Sequence, residues 1–287
     1  MKWEGNRESE NVEDRRGAGG FGLGGRSVGL GTIAIAVIAS YFLGVSPMTI
    51  LSILTGGQGQ VSTVQQTPQQ SAESDQMKKF VSTVLADTED TWTELFREQG
   101  ASYVDPHLVL FSGSTPTACG TGVSATGPFY CPGDQKIYID LSFYRLMRER
   151  FRVSGEFAQA YVIAHEVGHH VQNLMGISAK VENTRRRASE RQANALSVRL
   201  ELQADCFAGV WANHADRTRD ILEAGDVEAA LNAASAIGDD ALQRQSQGEV
   251  VPDSFTHGSS AQRVHWFKRG IETGKVGACN TFEARQL

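Results

Sequence analysis

Residues 161–170 read YVIAHEVGHH, and the residue types and spacing in that stretch suit a metal ion. His165 and His169 are four apart, so on an α-helix they share a face, one turn from each other. Two imidazoles so placed can hold one Zn²⁺ at about 2.0–2.1 Å each. Glu166 follows about 100° round such a helix. There it can reach a metal-bound water and act as general base. Tyr161 to Ala164 form an apolar lead-in that buries the helix, Gly168 leaves room beside a metal, and Gly176 is a stop signal. Those features argue against two core histidines that merely sit beside a surface glutamate. His170 points to another face and reads as a surface or supporting residue.

A catalytic zinc takes three protein ligands and keeps one position open for water. The third is sought in Glu201-x-x-x-Asp205, two acids one helical turn apart and flanked by Leu200, Leu202, Ala204 and Phe207. Acidic side chains are rarely buried without a partner. A metal bond accounts for Glu201, while Asp205 can accept the free ring N–H of a ligating histidine and fix its tautomer. A surface pair on an amphipathic helix is the plainer alternative. Cys206 is a rival ligand, but a thiolate makes zinc a poorer Lewis acid, and pairing with Cys279 is expected instead. Cys119 and Cys131 bracket a Gly/Ser/Thr/Pro-rich loop with little core of its own, and a bridge between them would close it.

The elements that position these residues are legible from periodicity. Apolar residues at Val81, Val84, Leu85, Trp92, Leu95 and Phe96 predict a helix that Gly100 closes. His107 to Phe111 and Lys136 to Asp140 read as strands, the second as an edge to which an extended peptide could add. Leu141 to Phe151 predicts a short amphipathic helix, and Ser154 a cap for the helix carrying the histidines. Further helices are expected around Glu201, over 226–236, and from about Arg263 to Thr273.

The chain has 287 residues, enough for one or two domains, and its net charge of -6 gives no basic footprint for nucleic acid. Val28 to Val45 carry no charge, and apolar residues resume from Met48 to Leu54. About 20 helical residues span a bilayer core, so 28–54 is a candidate transmembrane helix. Basic residues precede it at Lys2, Arg7, Arg15, Arg16 and Arg26, and none follows until Lys78. That asymmetry predicts a cytoplasmic N-terminus and an extracytoplasmic remainder, where disulfides are stable. The expected division is a cytoplasmic tail 1–27, a membrane segment 28–54, a flexible linker 55–76 and a zinc-binding domain 77–287.

The segments HEVGHH, ELQADCFAGVWA, GPFYCPGDQKIYIDLSFY and KWEGNRESENVEDRRG together resemble the bacterial neutral zinc metallopeptidases, single-pass membrane proteins, over nearly the whole chain. The catalytic pieces also resemble those of CaaX prenyl endopeptidases. That resemblance implies His165, His169 and Glu201 as zinc ligands, Glu166 as base and Asp205 as support. It also implies Thr256-His257 with Arg263 as a segment that holds the tetrahedral intermediate. Gly258 stands where those enzymes have proline. A donor such as His257 or Arg263 near the metal would stabilise a developing oxyanion on physical grounds as well. The resulting expectation is a mostly helical α+β, zincin-like (gluzincin-type) domain with a small sheet and one N-terminal transmembrane helix. It would hydrolyse protein or peptide substrates with Zn²⁺. A non-catalytic, membrane-tethered binding module that keeps zinc for structure is the rival, and a cell-wall processing factor a weaker one.

Overall fold

The structure, a computed structural model, describes residues 1–16, 68–248 and 250–287. Strand β1 (Val12–Asp14) precedes helix α1 (Pro68–Glu98) and strands β2 (His107–Phe111), β3 (Ser114–Thr117), β4 (Gly120–Val123), β5 (Phe129–Cys131) and β6 (Lys136–Asp140). Helices follow: α2 (Ser142–Glu149), α3 (Glu156–Leu174), α4 (Ile177–Arg185), α5 (Glu190–Arg219), α6 (Asp226–Ala236), α7 (Asp239–Gln247) and α8 (Ser260–Thr273). The described residues thus make a mostly helical α+β domain. The main sheet runs β1-β2-β6-β5, with β1, β2 and β6 parallel and β5 antiparallel at the edge; β3 and β4 form a separate hairpin.

Strand β6 therefore lies inside the sheet, paired on both sides, and the edge is β5. Residues 129–131 carry a proline on either side, which hid a three-residue strand within what reads as loop. The motif helix α3 starts at Gly155 with no side-chain cap; Ser154 does not serve. Capping boxes appear instead on α5, between Ser189 and Gln192, and on α8, between Ser259 and Gln262.

Helices α3, α5 and α8 form the core, and their closeness depends on glycine. A Cβ on Gly168 of α3 would lie 3.0 Å from the Ala204 carbonyl oxygen of α5. On Gly209 of α5 it would fall 2.2 Å from Phe267 O, and on Gly270 of α8 2.0 Å from Cys206 O. Gly168 makes room for a helix, then, and not for a metal. Phe157 stacks on Trp211 with ring centroids 5.8 Å apart, and Tyr161 meets Phe267 edge-on at 5.1 Å. Both expected disulfides are formed. Cys119–Cys131 ties the β3–β4 hairpin to β5, and Cys206–Cys279 ties α5 to the C-terminal turn Val276–Cys279.

The N-terminal residues depart from the free tail expected over 1–27. Strand β1 pairs in register with β2, Val12 opposite Leu108. Trp3 is buried against Phe80, and Ser9 donates its hydroxyl to buried Glu89. Arg16, at the end of this segment, donates to the carbonyl of Ser74 at 2.9 Å. Residues 68–76 are helical and not linker. The polar character of 1–16 suggested solvation, but its charges are spent on partners: Arg7 on Glu89 and Asp90, and Glu13 on Lys136. The membrane segment 28–54 lies outside the described residues, as does most of the linker; among the described residues no helix is long and apolar enough to cross a membrane. Residues 1–16 pack against the same body as residues 68–248 and 250–287.

Candidate metal centre

Helix α3 delivers the histidines and α5 the acids, brought face to face by the Gly168–Ala204 contact. One ligand atom from each of His165, His169 and Glu201 can be chosen so that all lie within 4.8 Å of one another. His165 Nε2 is 3.2 Å from Glu201 Oε2, and His169 Nε2 is 3.5 Å from Glu201 Oε1.

The opposite ring nitrogens are fixed from behind. His165 Nδ1 is 2.8 Å from Asp205 Oδ1, and His169 Nδ1 is 2.9 Å from Gln172 Oε1. With each Nδ1–H donating to its oxygen, both Nε2 lone pairs face Glu201. Gln172 is itself oriented, since its amide N–H groups go to Leu200 O at 2.7 Å and Gln203 Oε1 at 3.1 Å. Asp205 is fully buried and accepts from the Tyr161 hydroxyl at 2.5 Å and from Arg263 Nε and Nη2, each at 2.8 Å. Arg263, 3% exposed, also donates to Tyr161 Oη at 3.2 Å. Its guanidinium thus grips the carboxylate that orients His165, where the CaaX resemblance implied a grip on substrate.

The electrostatics of this group fit a cation at its centre. Burial alone would lower the His165 pKa, yet the Asp205 carboxylate and Glu201 raise it to about 10. His169 is also raised: burial opposes, and Glu201 outweighs it. Burial would push Glu201 up, but the two histidines hold it well below the usual carboxylate range. The raised histidines and the lowered Glu201 express their mutual attraction, and two imidazoles with one carboxylate form a set suited to zinc. Among the described residues the group has three members, His165, His169 and Glu201. Cys206, the rival ligand, is bound to Cys279.

Glu166 is 7% exposed and shares a cleft of about 750 Å³ with His165, His169, Glu201, His257 and Arg263. Pro128, Phe129 and Tyr130 supply one wall. His170 is not on the surface: it is fully buried, donates from Nε2 to Val104 O at 2.6 Å and accepts the Tyr130 hydroxyl at Nδ1, 3.0 Å away. Asn173 donates to the same hydroxyl at 3.1 Å, so α3 holds the edge strand β5 by Tyr130. Gln172, Asn173 and Tyr130 escaped the sequence reading because amides and a phenol carry no motif. The signal available was position: Gln172 and Asn173 lie one turn beyond His169.

The family model described as "Putative neutral zinc metallopeptidase" matches residues 1–282. The chain belongs to that family. Its match begins at residue 1, in keeping with the packed N-terminal segment of this neutral zinc metallopeptidase family member. The chain is 52% identical over 290 residues to "Uncharacterized protein YpfJ" of Escherichia coli K12, covering 98% of this chain and 99% of that protein. It is 40% identical over 219 residues to "Uncharacterized protein Rv2575" of Mycobacterium tuberculosis H37Rv, covering 73% of each. No solved structure matches it.

Proposed function

We propose that this chain is a zinc-dependent peptidase with a zincin-like site on α3 and α5. The observation that carries the reading is the group of two histidines and one glutamate that could hold a metal, set in a cleft that Glu166 also lines. Bound by His165, His169 and Glu201, zinc would supply Lewis acidity and lower the pKa of the attacking water toward about 7. Glu166 accepts the proton of that water as it attacks the scissile carbonyl, then delivers it to the departing amine. His257 is the donor available to the developing oxyanion, since the Arg263 fork is held by Asp205.

The substrate is an extended peptide. Strand β5 is a sheet edge and its residues line the same cleft, so a peptide can add to the sheet while its side chains meet Phe129, Phe143 and Phe151. The two disulfides support a site of action in an oxidising compartment outside the cytoplasm. The apolar stretch 28–54 supports association with the membrane surface from that side. A structural zinc in a binding module would need a fourth protein ligand, and among the described residues the group has three members.

The test is to load the full-length protein with zinc and challenge it with a peptide library and an unfolded protein. Cleavage that disappears on chelation and returns with zinc supports the proposal. Stoichiometric zinc without cleavage of any substrate would overturn it in favour of the binding module.

A further inference from the structure

His257 reaches the cleft from the loop before α8, and Asp239 of α7 holds the loop at that residue. Asp239 Oδ2 accepts three successive backbone N–H groups: Thr256 at 2.7 Å, His257 at 2.6 Å and Gly258 at 3.0 Å. Its other oxygen, Oδ1, lies 3.1 Å from His257 Nδ1, and the Thr256 hydroxyl is also 3.1 Å from that nitrogen. The Asp239 N–H donates back to Gly258 O at 2.9 Å, closing the pair.

Gly258 is what allows this. It stands at φ +93°, and its N–H is one of the three donors. Proline is locked near φ −65° and has no N–H, so it could fill neither role. A Cβ there would also come within 3.1 Å of Leu202 Cδ2, on the helix that carries Glu201. The departure from the Thr-His-Pro pattern is therefore matched by an acid at position 239.

We infer that Asp239 is a positioning residue: it orients His257 with Nδ1–H on its own carboxylate, leaving Nε2–H as the hydrogen-bond donor to the substrate oxyanion. The inference rests on the peptidase reading above for its consequence, though not for its geometry. A histidine that donates from both nitrogens is an imidazolium, and the surroundings favour that form. The Asp239 hydrogen bond raises the His257 pKa; burial lowers it, Glu201 of α5 raises it, and Arg263 of α8 lowers it. That guanidinium is already neutralised by Asp205. Donation should hold below the raised pKa and fade as pH climbs through it.

The experiment uses the full chain with zinc bound, its histidines labelled for NMR, as parent, Asp239→Asn, His257→Ala and the double variant. His257 in the parent should titrate above about 6.5, the ordinary value for the residue. In Asp239→Asn its midpoint should fall, and the alkaline limb of kcat against pH should move to lower pH with it, while zinc content stays at that of the parent. His257→Ala should lower kcat by about 10²–10³, the usual loss of one oxyanion donor. Adding Asp239→Asn to it should cost little more. If Asp239→Asn lowers kcat equally in both backgrounds and leaves the alkaline limb in place, Asp239 merely holds a turn and the inference is wrong. Should that variant fail to fold, a parent His257 that titrates at or below its ordinary value overturns the inference by itself. A parent without peptidase activity would sink the proposed function, while the two NMR titrations would still decide whether Asp239 sets His257.

Discussion

In the proposed peptidase, Glu166 and Asp205 separate two jobs that both depend on a carboxylate. Glu166→Gln keeps the volume and loses the proton acceptor, so zinc content should stay at that of the parent while turnover falls at least about 100-fold, the lower range for a general base. Equal activity in the variant would end the mechanism. Asp205→Ala should act on the metal instead, because it removes the acceptor behind His165 and leaves Arg263 buried without its partner. Zinc affinity should drop by roughly 10- to 100-fold, as measured by competition with a chelator. The pH dependence follows from the raised His165. Its proton is held up to about 10 in the metal-free chain and must leave before Nε2 can ligate. Zinc affinity should therefore keep rising with pH across about 6 to 8, well past the ordinary histidine value of about 6.5. A plateau above that value would contradict the assigned pair with Asp205.

Between elements, the site depends on how near helices come. Gly168 faces Ala204 with 3.0 Å for a Cβ, so Gly168→Val must push α3 from α5 and with it His165 and His169 from Glu201. Overpacking of this kind costs about 1–3 kcal/mol. Denaturant unfolding should show that loss together with weakened zinc binding, whereas an intact affinity would mean the helices can part without moving the ligands. The loop before α8 gives a less intuitive test. Gly258→Pro restores the residue common to CaaX-type enzymes, yet here it removes an N–H donor and the positive φ. It should lower turnover to about the level of His257→Ala and leave zinc in place.

For the molecule as a whole, the packed N-terminal segment governs topology. Trp3, Ser9 and β1 are built into the same body as the metal centre, so reporters fused before Met1 and after Leu287 should score on the same side of the membrane. Cytoplasmic signal from one and extracytoplasmic signal from the other would show that residues 1–16 leave the fold in the cell. With β1 at one edge of the sheet, β2 and β6 between and β5 at the other, the N-terminal segment and the cleft are joined through four strands. Cys131 fastens β5 to the hairpin from one side, and Tyr130 fastens it to α3 from the other. The edge strand β5 is thus held at two adjacent residues.

The grouping of His165 with His169 and both disulfides were legible from residue type and spacing, because a helix converts a four-residue interval into a shared face wherever it is packed. Helix positions followed from apolar periodicity for the same local reason. Long-range pairing left no such trace. Nothing in a polar N-terminal stretch says that its strand pairs with His107–Phe111, that Lys136–Asp140 becomes an interior strand, or that Arg263 turns to Asp205. Nor does an aspartate at 239 announce three N–H donors from residues 256–258. These partners are far apart in the chain, and which acid meets which donor is decided only when helices and strands pack and water is excluded between them.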